Sequence, residues 1–187
     1  MMRVISGIFR SRQLKGKPPA GIRPTSDKLR ETLFNVLGPR VEGSTFLDGF
    51  AGMGAVGIEA ISLGARYVFF VDQSRKACGI IRDNLQSLGV TEGFRVLETG
   101  MEKAMDLFER EGVTFDIVFF DPPYEKESLY AESLTMLGAG SLLRDEAMVV
   151  MEHSKRLQLP EAAGKVRRYR VLTQGDSALS FYRTGRE

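Results

Sequence analysis

"FLDGFAGMGAVG" spans Phe46–Gly57 and decides the fold. Its apolar start reads as a strand, and Gly52, Gly54 and Gly57 follow in the spacing of the dinucleotide-binding fingerprint, where a tight turn opens a helix. Asp72, at the end of the next apolar run, stands 20 positions after Gly52 and matches the acid that accepts hydrogen bonds from ribose hydroxyls. That acid serves NAD and other ribose-bearing cofactors alike. Asp48 separates them, because a carboxylate beside the glycine turn repels a pyrophosphate and suits a ligand carrying an ammonium and a sulfonium. S-adenosylmethionine is such a ligand; a nicotinamide dehydrogenase stays open as the alternative.

Outward from this turn, "TFLDG", "YVFFVD", "FRVLE", "FDIVFFD" and "AMVVME" read as strands, with Phe69, Phe70, Phe119 and Phe120 as core residues. Between them, residues 55–63, 74–88, 101–110 and 126–137 carry apolar side chains at helical spacing. A βαβα order predicts a Rossmann-like α/β fold with a doubly wound, mostly parallel sheet. "VRRYRVL" and "ALSFYRT", joined by "TQGDS", add an antiparallel C-terminal hairpin, so seven strands are expected. Before Gly38, "RVISGIFRSRQL" suggests a short β-hairpin, "KGKPPAGIRP" a loop, and Ser26 or Asp27 caps a helix reading "DKLRETLFNVL". Residues 1–38 are expected to form a basic appendage that binds RNA, and 39–187 the catalytic domain.

With 187 residues, 43% of them hydrophobic and 27% charged, the chain fits a folded domain rather than a disordered or membrane class. No apolar run approaches the roughly 18 residues of a membrane span, so a cytoplasmic protein without a membrane partner is expected. Cys78 and His153 are each the single residue of their kind, which leaves no disulfide and no usual metal-ligand set; no metal is expected. The net charge of +2 is small, but Arg3, Arg10, Arg12, Lys15, Lys17, Arg23, Lys28 and Arg30 precede Gly38 against only Asp27 and Glu31. Such a cluster suits phosphate contacts.

"FFDPPYEK" brings Asp121 to the same strand-end edge as Asp48 and Asp72. Pro122 and Pro123 fix two φ angles and remove two backbone donors, which leaves carbonyls free to accept and Tyr124 in a restricted orientation. A carboxylate, a rigid carbonyl and an aromatic face suit an exocyclic base amine.

"RVISG", "RPTSDKLRETLFNVL", "FLDGFAGMGAVGIEAISLGA", "FVD" and "FFDPPY" together resemble the bacterial 16S ribosomal RNA guanine-N2 methyltransferases, over nearly the whole chain. The resemblance implies S-adenosylmethionine as cofactor, 16S ribosomal RNA or the small ribosomal subunit as partner, and a monomer. It implies a cofactor site of Asp48, Phe50, Ala51, Gly52, Gly54, Asp72, Gln73 and Met101, and catalytic residues Asp121, Pro122, Pro123 and Tyr124. Arg23, Thr25, Arg30 and Asn35 become RNA-facing or cofactor-lid residues, beside Arg10 and Arg12. Gly49 stands where the family usually has a bulkier apolar residue, and Met53 where it has Ser or Thr. DPPY-type loops also serve adenine in DNA and protein amides, and a non-catalytic RNA-binding or assembly protein could keep the fold; acceptor assays separate these.

Overall fold

The computed structural model describes residues 2–16 and 25–185. Helix α1 (Asp27–Leu37) starts where the Ser26 hydroxyl accepts the Leu29 N–H, satisfying one of the donors that every helix start leaves unpaired. There follow β1 (Thr45–Gly49), α2 (Ala55–Ser62), β2 (Tyr67–Asp72), α3 (Arg75–Ser87), β3 (Phe94–Glu98), α4 (Met101–Glu111), β4 (Phe115–Phe120) and α5 (Ser128–Ala139). The C-terminal part holds β5 (Leu143–Ser154), β6 (Ala162–Ala163), β7 (Val166–Gln174) and β8 (Ser177–Thr184).

One mixed sheet runs β3-β2-β1-β4-β5-β8-β7-β6. Its first five strands are parallel, and β8, β7 and β6 pair antiparallel. The predicted α/β class and C-terminal hairpin are present, but the sheet has eight strands rather than seven. The extra strand, β6, is two residues long, too short to show the alternation that marks a strand in sequence.

Both faces are covered. One carries α1, α2 and α3 over a core that includes Phe46, Ile58, Phe70, Ile81, Phe119 and Phe181; the other carries α4 and α5 over Leu47, Phe69, Phe108, Phe120 and Leu134. The four strand phenylalanines foreseen as core are all buried. Parallel strands place Asp48, Asp72 and the residue after Phe120 at one edge, where the connecting loops begin.

The amino-terminal segment is packed into this body. Val4, Leu14, Leu29, Leu33, Phe34 and Leu37 belong to the same core as α2 and the sheet, so Gly38 marks no break in packing. Instead of a regular hairpin, the segment shows a single bridge between Arg3 and Gln13 with a 3-10 turn over Gly7–Phe9. Side chains of α2 and α3 hold its backbone. Glu59 accepts the Ile5 and Ser6 N–H groups at 2.9 and 2.6 Å, Ser62 accepts Phe9 N–H, and Asn84 both accepts from and donates to Lys15. A Cβ at Gly7 would run into the Ser62 carbonyl, so only glycine allows that approach.

Candidate active site

Asp48, the penultimate residue of β1, is 2% exposed, and its Oδ2 accepts the Gly57 N–H at 2.8 Å. From the end of β2, Asp72 accepts the Gly52 N–H on Oδ2 and the Ser74 N–H on Oδ1, each at 2.8 Å. The two amides that a dinucleotide fingerprint would offer to a pyrophosphate are therefore taken by carboxylates of the chain itself. This answers the choice left open by the glycine spacing. The turn between them holds Phe50 at φ 59°, Gly52 at 55° and Gly54 at 74°, with the Gly54 N–H bonded to the Ala51 carbonyl at 2.7 Å. A bulky residue in the left-handed region is strained, and such strain concentrates at functional sites.

Gly49 explains one departure from the family pattern. A Cβ there would enter the Phe120 ring and meet the Met101 methyl at 2.6 Å, so these two side chains fill the space that a larger residue would take. Phe120 in turn makes an edge contact with Phe50, ring centroids 5.7 Å apart. Met101, at the start of α4, is thereby brought to the turn, whereas Gln73 is exposed beyond Asp72. Met53 is buried, 6% exposed.

Asp121 follows β4, and its N–H reaches the Gly49 carbonyl at 3.4 Å. Pro122 is buried; Pro123 and Tyr124 are exposed, and the Tyr124 hydroxyl lies 3.1 Å from the Ser177 hydroxyl. Two partners escaped the sequence reading. Tyr130 of α5, fully buried, donates its hydroxyl to the Pro122 carbonyl at 3.0 Å and fixes that carbonyl, which keeps a second lone pair. Glu152 of β5 is 3% exposed; Phe120 pairs with Met151, so the next residues on the two strands bring Asp121 alongside Glu152. The signal for Glu152 was a carboxylate inside an otherwise apolar strand, which is costly unless it has partners.

Burial, then the charges of Glu152 and Asp48, hold the Asp121 carboxyl well above the usual carboxylate range. Burial pushes Asp48 up to about 8, against the lowering hydrogen bond from Gly57 and with a further rise from Asp72. No lysine or arginine among the described residues forms an ion pair with Asp48, Asp72 or Asp121. Asp48, buried, and Asp72 and Asp121, both half-buried, form a cluster of acids that fits a positively charged ligand, and this donor set suits S-adenosylmethionine. Among the described residues no group of three His, Cys, Asp or Glu could hold a metal, and no helix is long and apolar enough to cross a membrane.

The predicted substrate-facing residues divide. Thr25 is buried at the catalytic edge, its hydroxyl donating to Glu152 at 2.8 Å. Arg10 and Arg12 are exposed, and Arg12 also donates to the Ser87 carbonyl at 3.1 Å. Asn35 is exposed about two turns further along α1, away from that edge. Arg30 does not face RNA. Its side chain is 0% exposed, Nη2 bonds the Arg3 carbonyl at 2.8 Å and Asp27 at 2.7 Å, and Nη1 lies 3.7 Å from Glu59. It ties the amino-terminal segment to α1 and α2, because a buried guanidinium must be paired. Arg23 and Lys17 lie outside the described residues. His153 is buried on β5, its Nε2 2.8 Å from the Ser180 hydroxyl and its ring in edge contact with Tyr130, centroids 6.4 Å apart.

The chain is similar to known proteins along nearly its whole length. The family described as Conserved hypothetical protein 95 matches residues 2–183. YlbH of Bacillus subtilis (strain 168) is 36% identical over 182 residues, covering 97% of this chain and 98% of its own length. The Ribosomal RNA small subunit methyltransferase D of Escherichia coli (strain K12) is 33% identical over 181 residues, covering 97% of this chain and 89% of its own. The solved structure of yhhF from Escherichia coli superposes with a TM-score of 0.84 at 30% identity, over 100% of this chain and 99% of that one.

Proposed function

The chain belongs to the Conserved hypothetical protein 95 family, and from that premise we propose that it transfers a methyl group from S-adenosylmethionine to the exocyclic N2 amine of a guanine in small-subunit ribosomal RNA. The observation that carries this reading is the occupation of the Gly52 and Gly57 amides by Asp72 and Asp48, which disfavours a pyrophosphate and leaves an acidic pocket for a cation. S-adenosylmethionine, when bound, supplies a methyl group on a cationic sulfur. Asp48 and Asp72 hold the cofactor side of the edge, with Phe50, Ala51, Gly54, Gln73 and Met101 around it.

Asp121 and the Pro122 carbonyl accept the two hydrogens of the guanine amine and so turn its delocalised lone pair toward the methyl carbon. Tyr130 holds that carbonyl still. When the amine nitrogen gains a methyl group it must lose one proton, and Asp121 in its ionised form would accept it. The leaving group is already charged, so alignment and a preorganised field supply most of the rate. Tyr124 offers its exposed ring for stacking by a base extruded from the RNA. Arg10, Arg12 and Lys15 give the exposed, phosphate-contacting part of the amino-terminal segment.

The test is to map methylated nucleotides in small-subunit RNA with and without this protein. A single new N2-methylguanine is expected with the wild type and none with Asp121→Ala, while that variant keeps its S-adenosylmethionine affinity. A folded variant with near wild-type turnover refutes the role of Asp121, and methylation of naked DNA or a protein amide instead refutes the acceptor.

A further inference from the structure

The outer strands carry a second charged surface that the reaction above does not use. Strand β7 contains a bulge between Arg168 and Arg170, which leaves Tyr169 unpaired with β8 and turned outward, 43% exposed. Its ring packs 6.3 Å from Phe181 on one side, and the Arg183 guanidinium lies 5.4 Å from its centroid. Burial raises the Tyr169 hydroxyl, while the charges of Arg40, Arg170 and Arg183 pull it back. All three arginines are exposed, and none forms an ion pair with a described residue; Arg40 makes only a 3.3 Å bond to the Glu146 carbonyl.

This strip joins the catalytic edge. Arg170 pairs with Phe181, and Arg183, two residues on, shares its face, the one that α1 covers. Strand β8 begins at Ser177, beside the Tyr124 hydroxyl, and reaches Arg183 six residues later, a span of about 20 Å. Thr32 of α1 and Gln174 of β7 come within 3.5 Å near the same edge. Residues 178–182 of β8 are buried, so a chain leaving the catalytic loop would follow β7, past half-buried Gln174 and Leu172, down to the arginines.

We propose that this strip is a second RNA surface, where Tyr169 stacks on an unpaired base and Arg40, Arg170 and Arg183 hold phosphates of the strand flanking the target guanine. The inference rests on the RNA methyltransferase reading above. Planar guanidiniums match phosphate oxygens in pairs, and a half-exposed ring between them is the arrangement that holds single strands. An acidic protein surface would be met by charge alone and would leave Tyr169 without a role.

The test compares wild type, Tyr169→Ala, Tyr169→Phe and the double variant Arg170→Ala/Arg183→Ala in binding protein-free small-subunit RNA across salt concentrations. S-adenosylmethionine affinity, expected unchanged, reports folding. Tyr169→Ala should weaken RNA binding by about tenfold, Tyr169→Phe should restore most of it, and the arginine variant should flatten the log–log salt slope by about 0.7 for each phosphate it no longer neutralises. Folded variants with wild-type affinity and slope overturn the proposal, as does a loss confined to assembled small subunits, which would assign the strip to a protein. Methylation by the wild type is measured alongside. If it occurs and the variants bind normally, only this proposal fails; if RNA binds through the strip but no guanine is methylated, only the functional reading fails.

Discussion

Asp48→Asn should make the protein more stable and a worse methyltransferase, and the structure gives the size of the first effect. The Asp48 carboxyl is raised from 3.8 to about 8 in the folded chain, chiefly by burial. Between about pH 4 and pH 8 the folded state holds a proton that the unfolded state has released. Wild-type stability therefore falls with rising pH across that window, by about 1.4 kcal/mol per unit, and levels off above it. At pH 7 the accumulated cost is about 4 kcal/mol. Asparagine removes it and can still accept the Gly57 N–H, but its own amide N–H group lacks an acceptor, at about 1–2 kcal/mol. A net gain of about 2–3 kcal/mol remains at pH 7 and vanishes near pH 5. Urea unfolding of both proteins at pH 5, 7 and 8.5 measures it. The same substitution should weaken S-adenosylmethionine binding and abolish the proton release that accompanies it in the wild type, read by calorimetry in buffers of different protonation enthalpy. A variant no more stable than wild type at pH 7, with an unchanged pH slope, would refute the claim that Asp48 is held against its charge.

Glu152→Gln should move the acid limb of the turnover–pH profile to lower pH, since the proposed mechanism needs Asp121 ionised and the substitution removes its like-charged neighbour; an unmoved limb refutes the coupling. Neutralising Arg10, Arg12 and Lys15 together should lower RNA affinity and flatten its salt slope by about 0.7 for each single-strand phosphate released, with cofactor affinity preserved; titration across salt checks this. Gly49→Ala should cost about 1–3 kcal/mol by driving Phe120 and Met101 apart, and Phe120→Leu in the same chain should recover part of it. Additive losses in that double-mutant cycle refute the contact.

The glycine turn, the strand-end acids and the DPPY loop were legible because each is a local pattern whose chemistry needs neighbours in sequence. What sequence could not show depends on partners far along the chain. Arg30 looks like one cation of a solvated helix, and only the Arg3 carbonyl and Glu59, 29 residues on, reveal that it is buried. Tyr130 passes for a core aromatic until its hydroxyl is found on the Pro122 carbonyl. The amino-terminal segment reads as an appendage because it is basic. Its docking is written in Glu59, Ser62 and Asn84, polar residues on helices whose apolar faces gave no hint of it. Tyr169 turns outward through a one-residue shift of register, which an alternating pattern of seven residues does not encode.

The charge of the site also supplies a direction for the reaction cycle. Asp48 and Asp121 are both pushed toward their neutral forms in the chain alone, so the empty edge is poised to gain from any cation that enters. In the proposed reaction the sulfur becomes neutral once the methyl group has moved; the ligand keeps its ammonium, and the charge lost from sulfur reappears as the proton given up by the amine. If that proton leaves through Asp121, as proposed, the acids face a ligand with one positive charge fewer, and holding it becomes less favourable than holding a fresh donor. On the proposed mechanism, the same desolvation that destabilises the fold near neutral pH discriminates donor from spent product, a reason for keeping the acids where burial makes them costly.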